Sequence, residues 1–108
     1  MEFIGDAVLN CVIAEALFER FPAFPEGELS RVRASLVNRE TLTRLARSVS
    51  LAREIRLGEG EAKSGGAARP SILANALEAV FGAVFIDGGY AAARAAILRI
   101  YAAEWEGL

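Results

Sequence analysis

Apolar residues recur along this chain at helical rather than strand spacing. Phe3, Ile4, Ala7, Val8, Val12, Ile13, Leu17 and Phe18 cover most of the circumference of one helix over residues 2–20. A helix apolar on so many sides belongs in the middle of a bundle or at an intersubunit contact. Phe21-Pro22 ends it, because a residue before proline disfavours helical geometry. Residues 22–27, Pro-Ala-Phe-Pro-Glu-Gly, form a connector. From Glu28 to about Ser48 the helical pattern resumes, with Leu29, Val32, Leu36 and Val37 inward, then Leu42, Leu45 and Ala46. Asn38 can N-cap a second segment here, giving two helices with a bend. Ser71, after Pro70, is the expected N-cap of a helix reaching about Asp87. Gly88-Gly89 stops that helix, and Tyr90 to about Glu106 forms a last, alanine-rich one. Few segments alternate with period two and none repeats, so the fold class is all-α.

Between these helices, residues 57–70 hold four glycines and one proline and read as a long loop. It is not a phosphate-cradling Walker loop, because Lys63 precedes the glycine pair and no strand comes before it. The 108 residues make one domain. Hydrophobic residues are 54% of the chain but aromatics only 8%, which suits close-packed helices.

A net charge of -2 gives no signature of a nucleic-acid binder, although a local basic face or bound cations can offset phosphate charge. Arg31, Arg33, Arg39, Arg44 and Arg47 make residues 28–48 the most basic part; most read as a solvated face, with a fraction left to meet phosphate. The absence of histidine excludes His-based zinc sites and His general bases. Cys11, flanked by Val12 and Ile13, reads as a small buried hydrophobe; a lone cysteine fits a reducing cytosol. The Met-Glu start has no basic n-region of a signal peptide. The apolar stretch Phe3–Phe18 is broken by Asp6, Asn10 and Glu15 and is too short and polar to span a bilayer. The expectation is a soluble, cytoplasmic protein without a membrane partner.

Two polar lines stand out on these apolar helices. Glu2, Asp6 and Asn10 share one helix face; Ser71, Asn75 and Glu78 share another. Such lines can be the wet sides of amphipathic helices. Yet little else on the helices is polar, and buried carboxylates are costly unless paired or bound to metal. Two narrow acidic lines on buried helices suggest that they face each other. Hard divalent cations take oxygen ligands, and without His that favours Mg²⁺ chemistry on phosphate. The residues alone lead to a metal-dependent phosphoryl hydrolase.

An ordered series of motifs then resembles the ribonuclease III family of double-stranded-RNA endonucleases. Glu2-Phe3-Ile4-Gly5-Asp6-Ala7-Val8-Leu9 is similar to the family's signature. The likeness continues through Arg20-Phe21-Pro22, Glu26-Gly27-Glu28-Leu29-Ser30-Arg31 and Arg33-Ala34-Ser35-Leu36-Val37. It runs on through Leu57-Gly58, Lys63-Ser64-Gly65-Gly66, Ser71-Ile72-Leu73-Ala74, Glu78-Ala79 and Phe85-Ile86-Asp87-Gly88. The resemblance implies a helical endonuclease domain that forms a homodimer and hydrolyses both strands of duplex RNA, leaving 5′-phosphate and 3′-hydroxyl ends. It implies that Glu2, Asp6, Asn75 and Glu78 hold Mg²⁺, with Mn²⁺ as a substitute, and that Asp6 and Glu78 are catalytic. It puts Glu26 on an acidic position near the cleavage site and Phe3 where the family inserts an aromatic ring into its partner subunit. Lys63, Ser64 and Arg69 are the loop's candidates for RNA contacts.

Three departures from the family pattern accompany the likeness. Asn75 stands where a carboxylate is usual; its amide oxygen can ligate a cation but brings no charge. Family members also carry helices before the signature, with another acidic residue three positions before Glu2, and often a basic double-stranded-RNA-binding domain. Residues 1–108 are therefore expected to be a partial nuclease domain with weaker, more salt-sensitive RNA binding. The alternatives are a catalytically weak or inactive family member that binds duplex RNA, and a purely structural dimerisation domain.

Overall fold

A computed structural model describes residues 1–49 and 70–108. The expected loop over 57–70, with Lys63, Ser64 and Arg69, lies outside the described residues except for Pro70. Among the described residues every regular element is a helix: α1 (Glu2–Arg20), α2 (Glu26–Val37), α3 (Arg39–Ser48), α4 (Pro70–Ile100) and α5 (Ala102–Glu106).

α1 follows its expected bounds. Glu2 lies in its first turn and Arg20 in its last, the arrangement the helix dipole favours. α2 begins two residues before the expected Glu28. Pro25 sits at its N-cap in an extended conformation, and its carbonyl accepts from the Glu28 and Leu29 N–H groups at 3.0 and 3.2 Å. Acidic Glu26 and Glu28 suit that first turn, where Gly27 costs little. The bend at Asn38 is present: its side-chain oxygen accepts from Thr41 N–H at 2.8 Å and starts α3. α4 begins at Pro70, so Ser71 is inside the helix rather than its cap, in keeping with proline's preference for a first helical position.

Gly89 breaks α4 into two arms. Its φ of 84° and ψ of -178° lie in a region essentially reserved for glycine. The second arm loosens for one residue at Tyr101 (φ -86°, ψ 3°), and α5 carries the helix on to the expected Glu106, with Tyr101 N–H donating to the Ile97 carbonyl at 2.9 Å and Trp105 N–H to the Tyr101 carbonyl at 2.8 Å. The Tyr101 side chain is fully buried, and its hydroxyl donates to the Leu36 carbonyl at 2.9 Å.

α1 is the central element. Leu9, Val12, Ile13 and Leu17 are fully buried against Leu73, Leu77 and Phe81 of the first arm of α4 and Ile97 of the second. Leu42, Leu45 and Ala46 of α3 join the same core, α3 packing against α4. Ser71–Ile100 is long and apolar enough by length and composition to cross a bilayer; here Leu73, Ala74, Leu77, Phe81, Ala93 and Ile97 pack into this core, while Val80 and Ile86 are exposed. Polar ties fix the second arm to α1. Tyr90 donates to Glu15 at 2.7 Å, and Arg94 bridges Glu15 and Glu19 at 3.1 and 3.3 Å. Arg44 pairs with Glu104 at 2.8 Å, and Arg20 stacks over the Phe21 and Trp105 rings.

Cys11 departs from expectation: it is exposed, with its thiol 3.8 Å from the Tyr90 hydroxyl. The buried face of α1 is taken by Val8, Leu9, Val12, Ile13, Ala16 and Leu17, which turns position 11 outward. That outward face is itself apolar. Phe3 is 82% exposed and Phe18 67%, with Ala7 and Cys11 exposed between them.

Candidate metal centre

The two acidic lines meet where α1 crosses the first arm of α4. Gly5, immediately before Asp6, is buried at this crossing, as is Gly82, one helical turn after Glu78. Neither glycine has room for a side chain. A Cβ on Gly5 would collide with the Glu78 carbonyl, and one on Gly82 with the Met1 carbonyl. Backbone so close to backbone brings the carboxyl groups of Asp6 and Glu78 together, and they share a hydrogen bond.

Glu78 is half-buried. Burial first, then the hydrogen bond to Asp6 and the negative charges of Asp6 and Glu2, push its carboxyl from the ordinary 4.5 up to about 7. Asn10 completes the line on α1, donating its amide to the Asp6 carbonyl at 2.9 Å and reaching Asp6 Oδ1 at 3.4 Å. Crowded like charge of this kind is relieved by a proton or by a cation.

The expected site residues are therefore not all equivalent. Asp6 and Glu78 form a pair, with Glu2 within electrostatic reach from the exposed first turn of α1. Asn75 is exposed, one turn before Glu78. Glu26 lies on α2, lining a hollow of about 440 Å³ with Cys11, Phe18 and Arg33. Among the described residues no three His, Cys, Asp or Glu side chains converge as a ready-made cage. Mg²⁺ does not need one: it keeps several waters and is commonly held by one or two carboxylates plus substrate phosphates. An all-oxygen donor pair with uncompensated charge suits that ion. Gly5 and Gly82 belong to the site although neither carries a polar group. Their signal was present, as glycines adjacent to Asp6 and four residues past Glu78 in otherwise helix-favouring runs.

A family described as Ribonuclease-III-like matches residues 1–104. Ribonuclease 3 of Dechloromonas aromatica is 59% identical over 102 residues, covering 94% of this chain and 46% of its own length. Ribonuclease 3 of Aromatoleum aromaticum is 61% identical over 101 residues, covering 94% of this chain and 45% of its own. The chain thus spans about half the length of these curated relatives. A solved nuclease domain of ribonuclease III from Campylobacter jejuni, described for flexibility in a region involved in dimer formation, superposes with a TM-score of 0.86. It is 42% identical, and the match covers 92% of this chain and 69% of that one.

Proposed function

The chain belongs to the ribonuclease III family, and from that premise we propose that it is a Mg²⁺-dependent endoribonuclease domain acting on double-stranded RNA. The observation that carries the proposal is the Asp6–Glu78 carboxyl pair, held at the α1–α4 crossing with Glu2 in electrostatic reach. Asp6 and Glu78 would hold a hard divalent cation there, which would neutralise phosphate charge and lower the pKa of water, so that no side-chain base is needed.

The chain's own residues have the following roles. Asp6 and Glu78 provide the principal oxygen ligands, and Glu2 adds negative charge at the rim. Asn75 offers a neutral oxygen one turn from Glu78. Asn10 reaches Asp6 Oδ1 with its amide at 3.4 Å and helps orient that carboxylate. Glu26 is proposed as an acidic residue near the scissile phosphate, and Lys63, Ser64 and Arg69 as phosphate contacts. A duplex is recognised through its shape, phosphates and 2′-hydroxyls. The products are 5′-phosphate and 3′-hydroxyl ends, made in the cytoplasm, where the exposed Cys11 thiol stays reduced.

The working unit we propose is a homodimer. Phe3 is 82% exposed, and Phe18 borders the hollow on the same apolar face of α1. Their fifteen-residue separation spans about 22 Å of helix. In an antiparallel two-fold pairing of α1 centred near Cys11, Phe3 of each copy meets the hollow beside Phe18 of the other.

The test incubates the chain with a labelled RNA duplex and Mg²⁺, with a DNA duplex and single-stranded RNA as controls. Cleavage of the RNA duplex alone, lost in Asp6→Asn and Glu78→Gln, supports the proposal. Asn75 favours a second reading, a domain that binds duplex RNA without cutting it. Binding without cleavage, unrescued by Asn75→Asp, would select that second reading.

A further inference from the structure

We propose that Gly5 and Gly82 are positioning residues whose missing side chains set the separation of the Asp6 and Glu78 carboxylates, and with it the affinity for the divalent cation. The inference rests on the metal-centre reading above. The two glycines make one reciprocal contact. A Cβ at either position would lie 3.0 Å from the backbone nitrogen of the other. The Gly5 Cβ would also lie 2.5 Å from the Glu78 carbonyl carbon, besides colliding with its oxygen. These obstacles are main-chain atoms, which have no rotamer by which to move aside.

The contact is also the site's own scaffold. Asp6 is the next residue after Gly5, and Glu78 is the residue whose carbonyl Gly5 touches. Restoring ordinary contact to the Glu78 carbonyl carbon, from 2.5 to 3.4 Å, takes the backbones at least about 0.9 Å apart at that point, and clearing the nearer carbonyl oxygen takes more. Any such movement carries the two carboxylates with it. A misplacement of about 1 Å at a reacting centre can cost about a hundredfold in rate. Changes that disturb the orientation of metal ligands typically cost about 10–100-fold in metal affinity.

A purely packing role predicts something different: lost stability with metal affinity unchanged. Gly89 separates the two. It lies in the same helix with strained backbone, but a Cβ there would meet no heavy atom within 4 Å, so Gly89→Ala destabilises α4 without touching the crossing.

The experiment titrates Mn²⁺ calorimetrically into the full chain as wild type, Gly5→Ala, Gly82→Ala and Gly89→Ala, with helix content and duplex-RNA cleavage followed in parallel. The expected result is a Mn²⁺ Kd raised about 10–100-fold in the two crossing variants and unchanged in Gly89→Ala. Gly82→Ala keeps the test valid if Gly5→Ala does not fold, because the Met1 carbonyl it strikes belongs to the exposed start of α1. A folded Gly82→Ala with wild-type Mn²⁺ affinity overturns the inference, as does a Gly89→Ala that loses affinity equally. A chain that binds Mn²⁺ but leaves RNA uncut, both as wild type and as Asn75→Asp, sinks the hydrolase reading instead, and the affinities still decide this one.

Discussion

Replacing Glu78 by glutamine should make this domain more stable and inactive at once. In the metal-free protein Glu78 titrates near pH 7 rather than 4.5 because burial and the Asp6 and Glu2 charges disfavour its ionised form. A raised carboxyl pKa stabilises the fold fully below the unfolded value. That contribution is lost as pH rises through about 7, since the folded state then gives up a proton it held more tightly. The displacement from 4.5 to about 7 sets an upper figure of about 3 kcal/mol. Solvent screening at a half-buried group reduces this to about 1–2 kcal/mol. Glutamine keeps the size and a donor toward Asp6 but carries no charge. In EDTA at about pH 8, Glu78→Gln should therefore melt on the order of 5–10 °C above wild type, and the two should converge below about pH 5. Adding Mg²⁺ should raise the wild-type Tm and leave the variant's unmoved. Thermal unfolding followed by circular dichroism, at one protein concentration, measures all of this. A variant less stable than wild type at pH 8, or an advantage that stays constant with pH, would refute the reasoning.

Four further outcomes follow from the geometry. Gly89→Ala should cost about 1–3 kcal/mol in denaturant unfolding from backbone strain alone, since space beside it is open. Tyr101→Phe should cost about 1–3 kcal/mol because it leaves the buried Leu36 carbonyl without its donor. Ile13→Ala, at a fully buried position of the central helix, should cost about 2–5 kcal/mol by the same measurement. Phe3→Glu should shift the sedimentation equilibrium toward monomer while helix content is retained; an unchanged mass would remove Phe3 from the dimer contact.

The helices were legible because burial imposes a period. Val8, Val12 and Leu17 on α1, and Leu42 and Leu45 on α3, announce their inward faces through spacing alone, and Asn38 announces a cap through its chemistry. The break expected at Gly88-Gly89 was equally plain, and it falls at Gly89, whose backbone only glycine tolerates. Contacts that depend on a distant partner were not. The Tyr101 hydroxyl is buried against the carbonyl of Leu36, sixty-five residues earlier, and no local pattern announces that pairing. Cys11 looked buried because its neighbours are apolar, but the rotation of α1 is decided by what α4 and α2 cover.

The same division holds for the site. Which residues carry charge, and that Glu2, Asp6 and Glu78 occupy two narrow lines on apolar helices, was fixed by the order of residues. That order also determined the family. The distance between the lines was a matter of how two backbones cross, and Gly5 and Gly82 show their importance only when each is seen against the other helix. So too the raised pKa of Glu78, which arises once packing buries its carboxyl and brings Asp6 and Glu2, more than seventy residues away along the chain, within reach of it. Periodicity is a local property, and sequence carries it; electrostatic crowding depends on separation in space, which only tertiary packing supplies.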